Sequence, residues 1–115
     1  MTCEIVEEVL PAGISLLRIN GRLDHNSVPE LEVALRRLVD MGNYRLVVDL
    51  QGTTYINSGG LRVLITIWRT VRRLGGDMYL CGLNRRLSDI FEMAGFDQVF
   101  SIYVTVPEAV HAMTV

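Results

Sequence analysis

The sequence predicts an α/β fold: one domain on a mixed, mostly parallel sheet that opens with an N-terminal β-hairpin and carries about four helices, in the order β-β-α-β-α-β-α-β-α. Three observations predict it. Two β-rich runs at the start are separated by Pro11-Ala12-Gly13, which is hairpin punctuation. After them, apolar strand-like runs alternate with segments of helical period, and such strand-helix-strand units require right-handed crossovers and therefore parallel pairing. Finally, 115 residues of which 50% are hydrophobic and 21% charged suffice for one core that buries roughly two-thirds of the unfolded surface. Disorder is excluded as the main state.

The hairpin strands are residues 3–10 and 14–20. Ser27-Val28-Pro29-Glu30 then supplies a cap, a proline suited to a first turn and a glutamate placed to reach back in a capping box. Leu31, Leu35, Leu38 and Val39 recur at helical spacing until Gly42. Residues 44–50 form a continuous apolar strand, of the kind buried on both faces of a sheet, and 51–57 read as a connection. A second helix runs from Ser58 or Gly59 to Leu74, with Leu61, Leu64, Ile65, Trp68 and Val71 on its core stripe and Gly75-Gly76 closing it. Residues 78–83 are the next buried strand. Asn84 caps a third helix carrying Leu87, Ile90, Phe91 and Ala94 and ending at Gly95. Residues 99–103 form a last short strand, and Thr105-Val106-Pro107-Glu108 starts a C-terminal helix bearing Ala109, Val110 and Met113.

Composition removes several function classes. Eleven basic against thirteen acidic residues leave a formal charge of −2, which gives no global attraction for nucleic acid or an anionic membrane. Cys3 and Cys81 are too few for a disulfide framework or a four-ligand zinc site, so no metal or other cofactor is expected. Glu4, Glu7 and Glu8 near the start do not read as a signal peptide, and the longest apolar run, from Val63 to Trp68, falls far short of the roughly 18 residues of a spanning helix. A cytoplasmic protein without membrane insertion is expected.

Enzyme signatures are missing as well. Ile56 stands where a nucleophile elbow needs glycine, and His25 and His111 are the only histidines. Gly59-Gly60-Leu61-Arg62 lacks the Lys-Ser/Thr of a P-loop, and reads as a tight turn entering a helix. Arg62, Arg69, Arg72, Arg73, Arg85 and Arg86 have no interleaved aromatics for nucleic acid and read as a solvated face. Met78 and Met93 read as core fillers, Cys3 and Cys81 as small strand residues. In sheets of this kind function sits where strand ends meet helix starts, here residues 20–27 and 50–61. Ser58, exposed at a helix start beside two glycines, is then a helix cap or a phosphorylation site. A phosphoserine adds roughly −1.5 to −2 charge where a helix N-terminus favours an anion by about 0.3 to 1 kcal/mol, so phosphorylation would spare the fold and act on whatever docks there.

Val47-Val48-Asp49-Leu50 through Tyr55-Ile56-Asn57-Ser58-Gly59-Gly60-Leu61, followed by a long helix and Gly75-Gly76-Asp77-Met78, resembles the anti-sigma-factor antagonists of the STAS domain family. Gly21-Arg22-Leu23-Asp24-His25 resembles the family's G-x-L-D loop ahead of its first helix. The resemblance covers nearly the whole chain and implies a partner-switching protein rather than an enzyme. Unphosphorylated, such a protein binds a kinase-type anti-sigma factor (a GHKL serine kinase) and releases the sigma factor; phosphorylation breaks the complex and a serine phosphatase restores it. By position the phosphorylated residue is Ser58, with Asp24, His25 and Asn26 flanking it. Asn57, Gly59, Gly60, Leu61 and Arg62 extend the docking surface, and Val63 and Ile67, off the core stripe, are expected to widen it or to cover the sheet's edge. Two residues depart from the family pattern: Asn57 replaces its Asp and Gly59 its Ser or Thr. The alternative is a constitutive STAS subunit of a transporter or signalling scaffold, in which Ser58 only caps the helix. The sequence leaves open whether the chain forms a homodimer.

Overall fold

The computed structural model describes residues 3–115. Strands β1 (Cys3–Leu10) and β2 (Ile14–Leu23) form the expected hairpin, in register from Cys3 opposite Gly21 to Leu10 opposite Ile14. A single 3-10 turn over Pro11–Gly13 reverses the chain. Helix α1 (Val28–Asp40) crosses back to β3 (Arg45–Asp49), and β4 (Thr53–Ile56) leads into α2 (Ser58–Arg73). Then follow β5 (Asp77–Cys81), α3 (Arg85–Met93), β6 (Ile102–Tyr103) and α4 (Val106–Thr114). The sheet order is β1-β2-β3-β5-β6, parallel everywhere except at the hairpin.

Strand β4 lies in the segment expected to be a connection. It pairs in parallel with the far half of β2, Gly21 beside Thr53 and Leu23 beside Ile56, while the near half of β2 pairs with β3. The ten residues of β2 thus hold two consecutive strands end to end. The turn between them is tied down by Gly21 N–H donating to Gly52 O (2.9 Å) and Leu50 N–H donating to Cys81 O (2.9 Å). Four residues with a ladder shift at Arg22 carry too little period to read as a strand on their own.

Alternation along β2 sorts its side chains onto two faces. Leu17, Ile19 and Leu23 meet Leu31 and Leu35 of α1, Leu64 and Ile67 of α2, and Leu87 and Phe91 of α3 in the main core. Ile14 and Leu16 point the other way, into a smaller cluster with Val47, Cys81 and Ala109 of α4. Three helices therefore cover one face and one covers the other. The Arg45 guanidinium donates to the carbonyls of Ala12 (2.6 Å) and Met113 (2.8 Å), tying the hairpin turn to the end of α4.

Three local expectations are corrected by packing. Ser27 makes no side-chain cap on α1, because its hydroxyl is used elsewhere. Residues 96–98 form a 3-10 turn, and the last strand shrinks to two residues, because Phe96 and Phe100 turn inward to stack edge-on with Phe91. Met93 is 89% exposed rather than a core filler, since it lies off the stripe that Leu87 and Phe91 bury. Asn84 and Thr105 cap α3 and α4 as expected, accepting from Leu87 N–H (2.9 Å) and Glu108 N–H (3.2 Å). Gly76 is required by space: a Cβ there would overlap the Tyr44 carbonyl oxygen.

Candidate functional site

Because β2 and β4 end level with each other, the segments that follow them emerge side by side. Asn57 N–H donates to Leu23 O (3.0 Å), so the start of α2 is sewn to the loop that begins at Asp24. That loop is a self-contained Asx turn. Asp24 Oδ1 accepts from Asn26 N–H (3.0 Å), and the buried Ser27 hydroxyl donates to Arg22 O (2.6 Å) while accepting from Asp24 N–H (3.0 Å). These bonds occupy the hydroxyl that the capping box would have used. His25 and Asn26 are left on the surface. Partial desolvation pushes the Asp24 carboxyl up, but hydrogen bonds from the Asn26 and Ser27 amides and the Ser27 hydroxyl, with the neighbouring His25, outweigh it and hold it below the usual carboxylate range.

The cap of α2 is Asn57, not Ser58. Asn57 has extended backbone (φ −94°, ψ 178°), and its Oδ1 accepts from Gly60 N–H at 2.9 Å. Ser58 is therefore the first helical residue, exposed, with no side-chain hydrogen bond of its own among the described residues. Asn57 thus caps the helix with a neutral side chain. Gly60 is buried so tightly that a Cβ would lie 2.7 Å from Ile56 Cγ1, whereas a Cβ on Gly59 would lie 3.7 Å from Val28 Cγ1 at the start of α1. The glycines thus press α2 against β4 and α1 while leaving the Ser58 hydroxyl outside.

Asp24, His25, Asn26, Asn57, Ser58, Gly59 and Arg62 accordingly gather at one end of the sheet. Gly60, Leu61, Val63 and Ile67 do not face outward: Leu61 and Val63 are each 8% exposed and Ile67 1%. Of the two expectations for Val63 and Ile67, widening the docking surface is corrected: both are buried in the main core beneath the helix. The flank carrying Ile65 and Trp68 is the half-buried one, with Trp68 edge-on to Phe100 (6.0 Å between centroids).

Two further features adjoin the site. The Arg22 guanidinium lies over the Tyr55 ring (4.4 Å), at the rim of a groove of about 470 Å³ completed by Arg86, Asp89, Ile90 and Met93. Spacing gave no hint of it, because the Arg22–Tyr55 pair exists only through the β2–β4 ladder. The second feature is charge. α2 holds four arginines and no acidic residue, so within a chain of net charge −2 the rest sums to −6. Arg72 pairs with Asp77 (3.1 Å), while Arg62, Arg69 and Arg73 have no ion pair among the described residues.

Little at this end of the molecule offers covalent or metal chemistry. Burial, with Asp49 alongside, pushes the Cys81 thiol up to about 12, so it stays protonated and unreactive. Among the described residues no cluster of His, Cys, Asp and Glu could hold a metal ion, and no helix is long and apolar enough to cross a membrane.

Comparison with known proteins adds an independent line. Residues 6–109 match the STAS domain. BtrV of Bordetella bronchiseptica, provisionally named an anti-sigma factor antagonist, is 32% identical over 90 residues, 78% of each chain. The anti-sigma-B factor antagonist of Staphylococcus aureus is 26% identical over 86 residues, 75% of this chain and 80% of its own. An anti-sigma factor antagonist from Mycobacterium paratuberculosis has the same fold, with a TM-score of 0.90 at 23% identity over 99% of this chain and 96% of that one.

Proposed function

The chain belongs to the STAS domain family, and on that premise we propose that it is an anti-sigma-factor antagonist that works by binding and is switched at Ser58. The observation that carries this reading is the Ser58 hydroxyl. It stands exposed at the first position of α2, with no hydrogen bond among the described residues, next to the loop of the exposed His25 and Asn26 that the Asn57–Leu23 bond brings alongside, and capping falls to Asn57. A residue with no structural duty at the centre of such a surface is free to be modified. Unphosphorylated, the surface formed by residues 24–26, 57–59 and Arg62 docks on a kinase-type anti-sigma factor of the GHKL class and so releases the sigma factor. Phosphate on Ser58 adds roughly −1.5 to −2 charge to that interface, and a helix N-terminus tolerates it at a gain of about 0.3 to 1 kcal/mol. The complex breaks while the fold persists, and a serine phosphatase resets it.

Names of the relatives support the antagonist class, and the neutral Asn57 supports modification because it sets no like charge beside the incoming phosphate. The test is a pull-down from the native host's lysate with wild type and Ser58→Glu as parallel baits, read by mass spectrometry. Recovery of a GHKL-type kinase by wild type alone is expected. That kinase, with ATP, should then label wild type but not Ser58→Ala. The same partners on both baits, transporter or scaffold subunits above all, would overturn the switch and favour a constitutive subunit.

A further inference from the structure

The solvent face of α2 is a single column. It begins at Ser58 and continues through Arg62, then Ile65 and Thr66, then Arg69 and Arg73, about one contribution per turn. Ser58 and Arg62 are four residues apart, so their Cβ atoms are neighbours at about 5–6 Å. Helical side chains lean back toward the N-terminus, so the turn that Ser58 heads lies within reach of the Arg62 side chain. Arg62 is exposed and has no carboxylate within ion-pair distance among the described residues. The other α2 arginines are differently placed: Arg72 is paired with Asp77, and Arg69 starts about 16 Å along the axis from Ser58. Across the site the neighbouring loop presents a carboxylate, Asp24, already held by Asn26 and Ser27 and paired with the Arg22 guanidinium at 3.9 Å.

Resting on the reading of Ser58 as the modified residue, we infer that Arg62 is the built-in counter-ion of phosphorylated Ser58, clasping the phosphate along the face of α2. On the loop side the Asp24 carboxylate already engages Arg22, which leaves Arg62, on the helix side, to attract the phosphate. The modification therefore does two things at once. It withdraws the one unpaired guanidinium next to the serine from the docking face, and it changes the net charge of the Ser58–Arg62 pair from +1 to roughly −0.5 to −1. Arginine suits this role because its planar fork meets phosphate oxygens with two parallel hydrogen bonds.

The test needs no kinase. Chains carrying phosphoserine at 58, made by genetic encoding or ligation, are titrated by phosphorus NMR. The second ionisation of the phosphate in the otherwise wild-type chain is expected to lie about 0.3 to 0.6 of a pH unit below that in Arg62→Gln. Arg62→Lys should keep most of the difference, Arg69→Gln should titrate like wild type, and added salt should shrink the gap. Coincident titrations of wild type and Arg62→Gln would overturn the pairing, as would an equal effect of Arg69→Gln, which would mean only a diffuse field. Because the phosphate is installed during synthesis, failure here leaves the binding switch standing, and failure of the pull-down leaves the pairing standing.

Discussion

At Ser58 and Asn57 two adjacent polar residues divide two duties, and substitution should separate them. Asn57→Ala removes the bond to Gly60 N–H and is expected to lower stability by about 1 kcal/mol in urea unfolding. Ser58→Ala removes no cap and should change stability by less than about 0.5 kcal/mol. A cap-sized loss at Ser58 and none at Asn57 would reverse the assignment. Asp24 supplies a pH signature. Its folded-state carboxyl lies below the ordinary value, so the stability it lends its turn is present above about pH 4 and is lost as pH falls through the folded value. Exchange protection of the Asn26 amide, which donates to that carboxylate, should fall in step on acidification. A protection profile flat through that range would deny the carboxylate this role. At this scale the exposed placement of Ser58 was legible in the sequence, since a serine at a helix start is a local property. Which of two neighbours caps the helix was not, because the extended backbone of Asn57 is held by a bond to Leu23, thirty-four positions earlier.

Helix α2 illustrates how far periodicity reads an element. Leu61, Leu64 and Val71 are buried as their spacing predicts, yet Ile67, assigned off the stripe, is 1% exposed, while Ile65 and Trp68 are only half-buried. A wide apolar arc tells that one face is covered but not which flank carries the heavier load. Here α1 packs against α2, and the buried centre of the helix includes Val63 and Ile67. Ile67→Ala is therefore expected to cost about 2–5 kcal/mol in denaturant unfolding, and to leave partner affinity unchanged wherever the variant is folded. A loss of affinity with little loss of stability would restore it to the docking surface. The same dependence on neighbours hid β4, whose four residues become a strand only because β2 is long enough to pair with it beyond β3.

Across the whole molecule, charge is distributed against the average. The arginine column of α2 lies in a chain whose remaining residues are strongly acidic, so a near-neutral total conceals a polar molecule. Such a face steers an acidic partner at long range. Raising ionic strength from about 0.01 to about 0.15 M shortens the screening length from roughly 30 to roughly 8 Å. The association rate with the anti-sigma factor is expected to fall by about tenfold across that interval in stopped-flow measurements, and Arg69→Gln should lessen the dependence. A rate indifferent to salt would show that docking is driven by shape and apolar contact alone.

What the sequence by itself determined follows from properties carried within one segment: the hairpin at Pro11-Ala12-Gly13, the alternation of strands and helices, the caps at Asn84 and Thr105, and the exposed start of α2. Turn chemistry, capping and hydrophobic period act over a few residues and survive in any context. The tertiary structure alone decided the end-to-end placement of β3 and β4 along β2, the burial of Val63 and Ile67, the stacking of Arg22 on Tyr55, and the meeting of the Asp24 loop with Ser58. Each is a contact between segments far apart in the chain, and its energy depends on which neighbour arrives, a quantity no local pattern contains.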